Sequence, residues 1–248
     1  MRGDRLALDK ISLTVDYGES LAIIGPNGSG KSSLLKLLAR ELYPLDQEDS
    51  YVRILGEEHF EKQQYRSHLG LVSPDIQQDY NSETPGLEVV ISGFFDSNSL
   101  WQSFEITDRK ILKAKAIMQK LGISALSSLP FGKLSTGQQR RLLLARSMVH
   151  KPKTLVLDEP TTGLDPGSCF SYLEMIENLM ADGTSILLVT HHLHEIPPAI
   201  KRIILLQNGR IIIDGSREEV LTEEHLSNLF DSPICLSNIN GYIQAFPK

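Results

Sequence analysis

The segment that most restricts the fold is Gly25-Pro26-Asn27-Gly28-Ser29-Gly30-Lys31-Ser32, which fits the spacing G-x-x-x-x-G-K-S and separates two runs of opposite periodicity. Leu21-Ala22-Ile23-Ile24 before it is a short unbroken apolar run and reads as a buried strand, whereas Ser33 to Leu42 after it reads as a helix. The glycines at 25, 28 and 30 let the backbone curl so that successive N–H groups point inward, and the helix N-terminus adds a positive end. Such a loop suits phosphate. Lys31 is placed to reach the β and γ phosphates of a nucleotide, and Ser32 to put its hydroxyl on Mg²⁺, a hard ion that prefers oxygen. The binding run is taken as Gly25 through Ser33.

The same alternation recurs along the chain. Thr154-Leu155-Val156-Leu157 and Ile186-Leu187-Leu188-Val189 read as further buried strands, each running into a polar segment, so an α/β fold with a largely parallel sheet is expected. Functional groups then gather at the carboxyl ends of the strands. Asp158 and Glu159 end one such strand; Asp158 is the expected Mg²⁺ ligand, and Glu159 the group that orients and polarises an attacking water. Thr107 to Leu121 has apolar residues at helical spacing (Ile111, Ala114, Met118, Leu121), with Thr107 as N-cap and Gly122 as stop. A helix is also predicted from Pro166, capped by Asp165 and ended by Gly183, with Phe170, Leu173, Ile176 and Met180 on one face. A third helix is expected from about Gln138 to His150, and Gln207-Asn208-Gly209 closes a hairpin between Ile203–Leu206 and Arg210–Ile213. Residues 79–103 show weak periodicity apart from Leu87 to Phe95 and read as a mobile connection between subdomains.

Composition narrows the partners. With 25 Lys and Arg against 31 Asp and Glu, the net charge of -6 gives no support for nucleic-acid binding. Cys169 and Cys235 form no CxxC pair, and no apolar run approaches the length of a spanning helix, so a cytoplasmic location is expected. At 248 residues a single domain with subdomains is the expectation. His191, His192 and His194 form an H-H-x-H cluster, a compositional pattern that is by itself weak evidence for a metal.

The order of these motifs resembles the ATP-binding cassette (ABC) ATPase family over nearly the whole chain. Leu134-Ser135-Thr136-Gly137-Gln138 is similar to the family signature LSGGQ and stands shortly before the acidic strand, as in the family. The resemblance implies a RecA-like P-loop core with an inserted helical subdomain and a small antiparallel β part whose first strand is missing. It further implies that ATP is sandwiched between two chains, with Ser135, Gly137 and Gln138 contacting the ATP of the opposite subunit, Asp165 at the interface, and His191 on the γ-phosphate. Expected boundaries are a core of about 1–77 and 152–221, a helical subdomain of about 78–151 and a tail from 222. Expected partners are a second cassette, as homodimer or paired subunit, and membrane permease subunits; the alternative is an ABC ATPase without a permease. The stretch Leu221 to Lys248, with Gly241-Tyr242, bears a weaker resemblance to metal-chelate importer ATPases.

Three positions depart from the family pattern. Arg2 stands near the place of the adenine-stacking aromatic. Ser73-Pro74 occupies the place of the Q-loop glutamine, leaving Gln77, with Gln78 as rival, for the Mg²⁺ contact. Thr136 replaces a signature glycine, a small change if its φ is negative and a costly one if positive.

Overall fold

Strand β1 (Leu21–Ile24) is wholly buried, as its unbroken apolar sequence requires, and two parallel neighbours flank it. The computed structural model describes residues 6–45, 50–58, 67–95, 97–100 and 104–248. Arg2 lies outside them. These residues divide into two compact units.

The first unit comprises Met1–Lys62, Val156–Glu159 and Ser185–Lys248. Its strand order is β3-β4-β1-β5-β6, with β3 (Thr154–Asp158), β4 (Ser185–Thr190), β5 (Arg202–Gln207) and β6 (Arg210–Ser216). Leu21 stands opposite both Leu187 and Arg202, whereas β5 and β6 run antiparallel with a register shift between Leu205 and Leu206. The turn between them is the expected one: Asn208 (φ 50°) and Gly209 (φ 76°) are both left-handed, the geometry that matches strand twist. Residues 6–20 contain no strand; they are tied to the sheet by Asp9 N–H on Gly209 O at 2.8 Å and by the Arg202 guanidinium on Thr14 O at 2.9 Å.

Helix α1 (Lys31–Leu38) begins two residues before the expected Ser33 and stops four before Leu42. Its end is a Schellman motif: Arg40 is left-handed (φ 58°), Arg40 N–H bonds Leu37 O at 3.2 Å and Glu41 N–H bonds Lys36 O at 2.9 Å. The expected tail region forms a capped helix, Glu223–Phe230, and an antiparallel hairpin of β7 (Ile234–Ile239) and β8 (Tyr242–Pro247).

The second unit comprises Gln63–Leu155 and Pro160–Thr184. Strand β2 (Leu69–Val72) lies beside the start of β3 through Thr154 N–H on His68 O at 3.0 Å. Helices α2 (Pro74–Gln78), α3 (Gly86–Ser92), α4 (Asp108–Lys120), α5 (Thr136–Ser147) and α6 (Pro166–Ala181) make up the rest. Helix α4 is bounded as expected, its Thr107 side chain accepting Lys110 N–H and Gly122 turning left-handed (φ 66°).

Three expectations fail here. Residues 79–95 are no connection: Val89, Val90 and Ile91 are buried where α3 packs on α5, and Tyr80 bonds Ser92 at 2.7 Å; residues 96 and 101–103 lie outside the description. A helix buried on several sides has no polar stripe, hence no period. Phe170 is 68% exposed, and the buried seam of α6 is Cys169, Tyr172, Leu173, Ile176 and Leu179. Helix α5 starts at Thr136 rather than Gln138, because Ser135 and Gln138 close a capping box.

Candidate active site

In the first unit the carboxyl ends of β1, β3 and β4 each deliver one charged or ionisable group to one place. The chain leaves β1 into the loop Gly25–Gly30. A Cβ on Gly25 would lie 2.2 Å from Leu206 O, and Gly30 (φ 110°) caps α1 in a left-handed conformation, so neither position admits a side chain without a shift. The Asn208-Gly209 turn, expected only to close a hairpin, also braces this loop: Gly209 N–H donates to Ser29 O at 2.8 Å.

Lys31 opens α1 and is almost wholly buried, its ammonium donating to Gly25 O at 2.7 Å and Pro26 O at 3.0 Å. Burial holds its pKa below the usual lysine value, opposed by the attraction of Glu159 and Asp158. Glu159 follows β3 with a left-handed backbone (φ 43°), fixed by Glu159 N–H on Val189 O at 2.8 Å. For a residue with a Cβ this conformation costs on the order of 1–3 kcal/mol, and such strain clusters at functional sites. Glu159 Oε1 lies 2.7 Å from His191 Nδ1 and 4.0 Å from Lys31 Nζ. His191 follows Thr190, the last residue of β4, and its ring lies tilted by 41° beside that of His192, centroids 3.9 Å apart; the His192 pKa is lowered first by burial and then by His191.

Two features fit an anionic ligand with a divalent ion. Ser29 Oγ is buried with no hydrogen-bond partner among the described residues, and a phosphate oxygen is the kind of partner it lacks. Ser32 and Asp158 carry hard oxygen atoms of the kind that Mg²⁺ takes.

The remaining expected residues belong to the second unit. Ser135 caps α5 in a reciprocal box, its Oγ accepting Gln138 N–H at 3.3 Å while Gln138 Oε1 accepts Ser135 N–H at 3.0 Å. The S-x-x-Q spacing announces this box, so the true helix start was legible. Thr136 takes the first helical position, where φ is negative, so its side chain is accommodated. A Cβ on Gly137 would lie 2.9 Å from Ser168 Cβ, so this glycine is required by packing within the unit. Asp165 caps α6, accepting Ser168 N–H at 3.0 Å and Ser168 O–H at 2.6 Å; both bonds hold its carboxyl pKa below the usual value. Gln77 lies in the last turn of α2 and donates to Gln139 Oε1 at 2.6 Å, while Gln139 donates to Phe131 O at 2.8 Å. Gln77, Gln78 and Gln139 line one groove of about 410 Å³. Sequence reading missed Gln139, because nothing local distinguishes it within the polar run Gln138-Gln139-Arg140-Arg141.

A family model described as ABC transporter matches residues 8–162. The chain is 32% identical over 238 residues to an uncharacterized ABC transporter ATP-binding protein, YlmA, of Bacillus subtilis (strain 168), covering 94% of this chain and 88% of that one. It is 31% identical over 226 residues to the Nod factor export ATP-binding protein I of Rhizobium sp. (strain N33), covering 90% and 70%. Among solved structures, the ADP conformation of an ATP-binding cassette of an ABC transporter superposes with a TM-score of 0.77 at 26% identity, covering 92% of this chain and 94% of that one.

Proposed function

The chain belongs to the ABC transporter family, as an ATP-hydrolysing subunit that drives transport, and from that premise we propose which of its residues do the work. The phosphates of ATP lie along Gly25–Ser33, with Lys31 turning from the loop carbonyls to the β and γ phosphates. Ser32 and Asp158, with Gln77 as a further contact, would hold Mg²⁺, which would supply positive charge beside the phosphates. Glu159 orients the attacking water and takes its proton, and His191 binds the γ-phosphate. The observation that carries this assignment is the convergence of Glu159, 2.7 Å from His191 and 4.0 Å from Lys31, at the ends of three different elements.

Two cassettes close head to tail in this reading. Ser135, Gly137 and Gln138 meet the γ-phosphate bound to the other chain, aided by the N-terminus of α5, and Asp165 lies at the interface. The whole of 1–248 acts as one nucleotide-binding domain, cytoplasmic and held at the membrane by permease subunits. Among the described residues no helix is long and apolar enough to cross a membrane. The groove beside Gln77, which mixes the rings of Tyr80 and Phe131 with the polar groups of Gln139 and Arg140, suits a cytoplasmic segment of that partner.

Glu159→Gln tests the chemistry. Removing the base lowers turnover by roughly 10²–10⁴-fold, the range for general-base catalysis, while ATP binding persists and an ATP-bound dimer accumulates in size-exclusion chromatography. Full turnover by the variant sinks the assignment of Glu159.

A further inference from the structure

The loop that carries His191 is fixed at both ends by side chains that the reaction does not use. At its near end Thr190 Oγ1 donates to the fully buried Glu195 carboxylate and accepts His192 N–H at 2.8 Å. At its far end the guanidinium of Arg217, only 6% exposed, donates to three carbonyls of the descending segment: Ile196 O at 3.4 Å, Pro197 O at 3.3 Å and Ile200 O at 3.5 Å. Its shortest bond, 2.8 Å, goes to Gly241 O in the turn between β7 and β8. The backbone N–H of Arg217 is tied as well, to Lys201 O at 2.7 Å.

The hairpin closes on the same loop. Strand β8 packs along the turn Leu193–Glu195, and Gly241 (φ 84°) approaches Pro198 so closely that a Cβ would meet its ring at 2.9 Å. Burying a guanidinium is expensive, and burial depresses the Arg217 pKa against only the modest attraction of Glu218 and Tyr242. An apolar residue is the cheaper way to fill such a space. What arginine alone supplies is a rigid planar fork that joins carbonyls of two separate chain segments.

We propose that Arg217, clamped between the Ile196–Ile200 segment and the Gly241 turn, is a positioning residue for His191, so that the C-terminal hairpin sets the rate of ATP hydrolysis. Releasing the clamp frees the loop to shift, and His191, five residues before Ile196, moves with it. A displacement of the order of 1 Å at a group that must touch a reacting phosphate costs up to roughly 10²-fold in rate. The inference rests on the role given to His191 under Proposed function.

The test uses the full-length chain. Phosphate release gives kcat and KM for ATP, and thermal melting shows that each variant is folded at the assay temperature. Arg217→Met and Gly241→Val, which attack the clamp from its two sides, are expected to lower kcat about tenfold or more with KM within about twofold. Arg217→Lys, which keeps the charge without the fork, should fall between them and the parent chain. In a His191→Ala background the same substitutions should lower the residual rate by less than about twofold, because the group they position is gone. Two results overturn the inference: kcat within twofold of the parent for folded Arg217→Lys and Gly241→Val, or the same fold-loss in the presence and absence of His191. Full turnover by His191→Ala alone defeats the underlying reading of His191 instead. If Arg217→Met does not fold, the Arg217→Lys and Gly241→Val pair decides.

Discussion

The two units hold their functional side chains in different ways. In the first, Lys31 opens α1 while Glu159 and His191 follow the buried strands β3 and β4, and Glu159 lies 2.7 Å from His191 and 4.0 Å from Lys31. In the second, Ser135 and Asp165 sit at helix N-termini, each satisfied by its own helix: Ser135 by Gln138, Asp165 by Ser168. The first arrangement is a charged site with its opposing groups in place. The second presents helix N-termini whose capping side chains are already held by their own helices, as suits a surface that engages a ligand held elsewhere. Substitutions therefore separate into those that disable a single chain and those that disable only a pair. The largest effect belongs to Lys31→Ala. It strips the phosphate site of its buried cation and leaves Glu159 without its nearest positive charge, so turnover should fall by roughly 10²–10³-fold and ATP affinity of the isolated chain should fall with it. A loss below tenfold in both would mean that the convergence in the first unit is not the phosphate site.

Ser135 sharpens the contrast, because its structural and functional contributions can be measured apart. Thr107 caps α4 in the same unit, accepting Lys110 N–H at 3.4 Å. Replacing either cap by alanine should cost about 1 kcal/mol of stability. Only Ser135→Ala should lower turnover, by about tenfold, the worth of a hydrogen bond to a charged group. ATP affinity of the isolated chain should stay within about twofold of the parent for both. Equal turnover in the two variants, measured at matched folded fraction, would reduce Ser135 to a helix cap.

What could be read beforehand follows the same division. The phosphate loop, the acidic strand end and the Asn208-Gly209 turn were legible because each is a local backbone problem with few residue solutions. The positive φ of Gly30 and Gly209 shows those solutions in use. The start of α5 was equally local, and Ser135 with Gln138 already spelled the capping box that moves it to Thr136. Contacts made at long range left no such trace. Val89 to Ile91 show weak periodicity because α3 is buried on more than one side, and Phe170 mimics a core residue because it shares a three-to-four-residue spacing with the true seam beginning at Cys169. Arg217 looks like any helix-start arginine until folding brings Gly241 to it.

The smallest expected effect concerns the one signature position that differs from the family pattern. Thr136 occupies the first turn of α5, exposed and with negative φ, where a β-branched side chain meets no backbone penalty of the kind that demands glycine. Helix propensities separate threonine from glycine by only a few tenths of a kcal/mol, and less at a helix end than in its middle. Thr136→Gly should therefore change stability by less than about 0.5 kcal/mol and turnover by less than about twofold. The packing that does demand glycine is one residue on, where Gly137 meets Ser168, so Gly137→Ala must displace α6 or α5 and is expected to cost about 1–3 kcal/mol. Thermal melts and phosphate release on the two variants rank these neighbours. A tenfold gain in turnover for Thr136→Gly would show that the threonine obstructs the approach of the opposite chain's ATP, and the second unit would then be a poorer partner surface than its satisfied helix caps suggest.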